Sequence, residues 1–98
     1  MSFEELINQY IKENNYTEVI SLLHKNIKIL LTQILKQYNP KFQYSTIDLL
    51  VENAALYCPF DLFCFIKSYQ QLIYQECSQE YEIEMLIEIY NRLKKLAI

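Results

Sequence analysis

The chain has no glycine in its 98 residues. Ordinary usage of roughly 7% would supply about seven. Two-residue hairpin loops need Asn-Gly, Asp-Gly or Gly-X at their centres, so tight hairpins are excluded. Glycine-rich phosphate loops, dinucleotide-binding turns and nucleophile elbows also need glycine where the backbone turns sharply or approaches a ligand. The enzyme classes built on them are excluded in their usual form. Hydrophobic residues make up 52% and prolines number two. An all-α domain is what survives.

Helix signals run from end to end. Ser2 and Glu5 fit a capping box, followed by a stripe of Leu6, Ile7, Tyr10 and Ile11 at helical spacing. That helix should stop at Asn14-Asn15, since asparagine tolerates the left-handed conformation that ends helices. Thr17 is placed to cap a second helix reaching about Tyr38. Its main stripe is Ile20, Leu23, Ile27, Leu30, Leu31 and Ile34, widened by Val19, Leu22 and Ile29, which marks it as central. Lys25, Lys28, Thr32 and Lys36 form its polar edge.

Asn39-Pro40 breaks the pattern, because proline pushes the preceding residue out of the helical region. Residues 41–44 read as the connecting loop. Ser45 with Asp48 restarts a helix to about Tyr57, with Ile47, Leu50, Val51 and Ala54 inward. Pro59 suits the first turn of the next helix and Asp61 favours its dipole. Leu62, Phe65, Ile66, Tyr69, Leu72 and Ile73 are its core face. Residues 60–97 read either as one long helix or as two, and the capping residue Ser78 favours two. The last helix turns Ile83, Leu86, Ile87, Tyr90, Leu93 and Ala97 inward, with Glu82, Glu84 and Glu88 early and Arg92, Lys94 and Lys95 late. The expected architecture is one domain over 1–98, an all-α, four- to five-helix antiparallel up-and-down bundle.

The charges bear on partners. Nine basic and twelve acidic residues give a net charge of −3, which favours neither nucleic acid nor an anionic membrane. Glu76, Glu80, Glu82, Glu84 and Glu88 fall in a stretch without Lys or Arg, read as a solvated helix junction that would repel a polyanion. Lys25, Lys28 and Lys36 form the one row able to touch phosphates. Cys58, Cys64 and Cys77 match no zinc spacing, so they read as reduced thiols and no metal or other cofactor is expected. No apolar run approaches the roughly 20 residues of a membrane span. The acidic opening Met1-Ser2-Phe3-Glu4-Glu5 lacks signal-peptide features. A cytoplasmic protein is the expectation.

His24 is the only histidine. A general base needs a nucleophile or acid within reach, and the local sequence supplies none, though a distant glutamate could approach in space. The expectation is a non-enzyme. Phe63 and Tyr74 fall off the core stripe of their helix, on a side shared with Lys67 and Gln70. Aromatics among polar residues suggest a protein interface, and a helix buried on two sides explains them equally well.

The run from Tyr10 to Leu31, with Asn15-Tyr16 at its corner, resembles the opening of HEPN domains: a helix, a short corner ending in tyrosine, then a long helix with lysines. Residues 45–50 are similar to the short helix that follows a loop in that family, and the last two helices fit its bundle. The resemblance spans about residues 6–97. It implies a helical domain that dimerises. The family's Arg-x(4–6)-His ribonuclease motif is missing, since Arg92 is the only arginine and His24 has none before it. Helical hairpins of tetratricopeptide type look similar over 6–31 and would instead imply a concave groove. The sequence therefore points to a non-catalytic protein–protein interaction module, either a homodimer or a small regulator on a larger protein. The alternative is an RNA-binding or RNA-acting protein using the lysine row.

Overall fold

The computed structural model describes residues 1–97 and contains five helices. They are α1 (Phe3–Lys12), α2 (Tyr16–Tyr38), α3 (Ile47–Tyr57), α4 (Phe60–Tyr74) and α5 (Gln79–Leu96). The all-α bundle expected from the sequence is what forms, and residues 60–97 divide into two helices.

The corners show how the chain turns without glycine. Asn14 takes a positive φ of 59°. The Asn15 N–H donates to the Tyr10 carbonyl at 2.9 Å and the Asn14 N–H to that of Ile11 at 3.0 Å. This is a Schellman cap with asparagine where glycine usually stands. At the next corner, Pro40 follows the extended Asn39. The Asn39 carbonyl accepts from the Phe42 N–H at 2.9 Å, and its side-chain oxygen accepts from the Lys41 N–H at 3.3 Å. This turn drives Phe42 into the core. At the third corner Cys58 and Pro59 are both extended. At the fourth, the Ser78 hydroxyl accepts from the Tyr81 N–H at 3.3 Å, which separates α5 from α4.

Several local expectations shift by a residue or a role. Thr17 does not cap α2. Asn15 holds that position without a side-chain bond, and the Thr17 hydroxyl accepts instead from Gln79 at 3.4 Å. Thr46 rather than Ser45 caps α3, accepting from the Leu49 N–H at 3.2 Å. Pro59 sits at the cap of α4 rather than inside its first turn.

Helix α2 is the axis of the molecule, packing against α1, α3 and α5, while α3 packs on α4. Its residues Val19, Leu23, Ile27, Leu31, Ile34 and Leu35 are buried. The remaining helices close around it with Ile7, Leu50, Ala54, Ile66, Tyr69, Leu72, Ile83, Leu86 and Leu93 in one continuous core. The helices thus share a centre rather than stacking as successive hairpins. α3 and α4 run antiparallel, since Asp48 at the start of α3 meets Gln70 and Tyr74 near the end of α4. α2 and α5 run in the same direction, since Thr17 meets Gln79 and His24 meets Glu82 near both helix starts. The ion pair of Lys94 with Glu4 at 2.8 Å and the Phe3–Tyr90 ring contact hold the far end of α5 to the start of α1.

Candidate functional site

Three features outside the plain core bear on function: the environment of His24, the cleft beside it, and the outer face of the α3–α4 hairpin.

His24 projects from α2 between two other helices. Its Nε2 lies 3.3 Å from Glu82 Oε1 on α5, and its Nδ1 lies 2.7 Å from the Tyr69 hydroxyl on α4. A carboxylate only accepts hydrogen bonds, so Nε2 carries a proton. In the neutral ring Nδ1 then accepts from the Tyr69 hydroxyl. Burial, with smaller effects from Tyr44 and Glu82, raises the Tyr69 pKa well above its ordinary value, so the phenol stays protonated as this donor requires. Both imidazole nitrogens have a hydrogen-bond partner within the protein, and the part-exposed His24 ring also lines the cleft described next. The arrangement ties α2, α4 and α5 together.

The cleft opens beside this link. It measures about 1010 Å³ and lies between α2, the returning segment 44–46 and the start of α3. Ile29, Ile47 and Ile73 supply its apolar floor, and Lys25 and Lys28 its charge. The Lys28 ammonium stands 5.5 Å from the centre of the Tyr44 ring, a cation–π distance. Burial raises the Tyr44 pKa as well. Of the lysine row singled out in the sequence, Lys25 and Lys28 therefore share one cleft. Lys36 is exposed elsewhere on α2 and does not line it.

The α3–α4 outer face contains the other sequence candidates. Phe63 is half-buried against the core, 6.5 Å from the exposed Phe60 ring. Lys67 is exposed. Gln70 and Tyr74 both donate to Asp48 Oδ1, at 2.9 and 2.8 Å. The bond to Asp48 is the main reason the Tyr74 pKa is raised. Gln70 and Tyr74 thus lie on the seam with α3, with Phe63 and Lys67 on the same side of α4. The sequence reading missed their most exposed neighbours, Leu56 at 77% and Phe60 at 74%. They lie at the α3–α4 corner, where the described residues leave both side chains uncovered. The signal was available, because Leu49 and Leu56 are one heptad apart on the side of α3 opposite Leu50 and Ala54.

Cys58, Cys64 and Cys77 are free thiols. Burial pushes the Cys58 thiol up, away from the reactive thiolate. Among the described residues no group of His, Cys, Asp and Glu is arranged to hold a metal ion. No described helix is long and apolar enough to cross a membrane. Compared with known proteins, the chain matches no family model, no curated protein and no solved structure.

Proposed function

We propose that this protein is a non-catalytic, cytoplasmic protein–protein interaction module, akin to a HEPN domain without its ribonuclease motif, that pairs with a second copy of itself through the α3–α4 outer face. The observation that carries this reading is the adjacent exposure of Leu56 and Phe60, the most exposed large apolar side chains after Met1 among the described residues. Tyr57, half exposed, extends the same apolar corner. Large apolar side chains grouped on a surface mark interaction sites.

The charges on this face favour a second copy as the occupant. Glu52 on α3 and Lys67 on α4 are both exposed about one turn beyond the Asp48–Gln70 contact. Neither has an ion-pair partner among the described residues. A two-fold axis makes an interface self-complementary. It sets Glu52 of one protomer against Lys67 of the partner subunit, twice, while the apolar corners meet. Both nitrogens of the sole histidine are committed to internal bonds, which fits a binding role better than acid–base chemistry.

A charge-reversal cycle tests the pairing. Glu52→Lys and Lys67→Glu each weaken self-association in analytical ultracentrifugation, and the double variant restores it. A double variant weaker than either single one overturns this arrangement.

A further inference from the structure

The cleft beside His24 is separate from the α3–α4 face and independent of how that face is used. The chain has twelve acidic residues, yet no Asp or Glu lines the cleft, and Lys25 and Lys28 do. The acid bonded to His24, Glu82, is not part of the lining. Two lysines thus line a space that no described carboxylate residue lines.

The floor is apolar and open. Ile29 belongs by spacing to the core stripe of α2, but 47% of it remains exposed. With Ile47 and Ile73 it lines the same cleft as the lysines. Ser21 and Ser45, both exposed, add hydroxyls to the lining. An apolar surface with a few convergent polar groups is the usual make-up of a small-molecule site. The cleft follows from the fold: residues 41–46 return along α2 after Pro40, and Tyr44 meets that helix through its cation–π contact with Lys28.

We infer that this cleft binds a small amphipathic organic anion, its acidic head between Lys25 and Lys28 and its apolar body on Ile29, Ile47 and Ile73. Charge complementarity selects an acid over a neutral lipid, and the isoleucine floor selects an apolar body over a bare inorganic anion. A nucleic-acid strand would instead track a longer basic row, and Lys36 stands outside the cleft.

Octanoate and octanol are the probes, titrated into the full chain with the isoleucine methyls followed by NMR. Octanoate should shift the methyls of Ile29, Ile47 and Ile73, and octanol should bind about tenfold more weakly, the worth of one charge-assisted hydrogen bond. The Lys25→Gln, Lys28→Gln double variant should remove that preference, while Lys36→Gln keeps it. Unchanged thermal melts of these surface variants confirm that folding is intact. Equal binding of octanol and octanoate overturns the inference, as does an absence of shifts at the three isoleucines. So does displacement of octanoate by oligouridine with an equal loss in Lys36→Gln, which would assign the lysines to nucleic acid.

Discussion

The α2–α5 seam and the α3–α4 outer face are made from similar residues and end in opposite states. On the seam, Leu23, Ile27, Leu31, Leu86 and Leu93 are sealed. On the outer face, Leu56 and Phe60 stand in water. Composition does not separate them, since both are rich in large apolar side chains. Coverage does: α2 packs against α1, α3 and α5, whereas Leu56 and Phe60 of the hairpin are left uncovered by the described residues. An apolar residue on the seam therefore stabilises the monomer. The same kind of residue on the outer face is available to an assembly.

Truncation should expose the contrast most sharply. Ile27→Ala, at a site with no exposure, should cost about 2–5 kcal/mol in denaturant unfolding, from lost burial and the cavity left behind. Tyr69→Phe should cost less, about 1–2 kcal/mol, because it removes one hydroxyl and leaves His24 Nδ1 without its donor. The same phenol gives the seam a pH limit. Its folded pKa is raised above the ordinary 10.0, so its contribution is complete below pH 10.0 and is lost as pH rises toward the folded value. Wild type should lose stability in alkali beyond what Tyr69→Phe loses, read from melting temperature across that range.

Asn14→Ala should cost about 1 kcal/mol, because alanine pays for the left-handed φ that asparagine tolerates. Asn14→Gly should nearly preserve stability, both read by thermal melting. The smallest effect belongs to the outer face. Leu56→Ala should change monomer stability by no more than about 0.5 kcal/mol, as surface substitutions usually do.

The helices were legible because their signals are local. Ser2 and Ser78 cap as their side chains suggest, Asn14 ends α1, and Leu23, Ile27, Leu31 and Ile34 of the α2 stripe are buried, with Leu30 partly so. Ile29 and Glu82 were misplaced for a different reason. Ile29 sits at the edge of the α2 stripe, and whether it is covered depends on where residues 41–46 run. Glu82 looked like one member of a solvated acidic stretch, and only the shared direction of α2 and α5 brings it to His24. No pattern within either helix encodes that direction. The exposure of Leu56 and Phe60 is non-local in the same way, being set by which described elements reach the corner.

The central claim is that the outer face is the assembly surface, and sedimentation equilibrium over a wide concentration range tests it most directly. Burying a side chain of this size contributes about 1.5–3 kcal/mol, so the paired corners should dominate association. Wild type should shift from monomer to dimer with rising concentration, while Leu56→Glu with Phe60→Glu stays monomeric and melts at an unchanged temperature. A wild type that is monomeric throughout, or a double variant that dimerises equally well, would contradict the account.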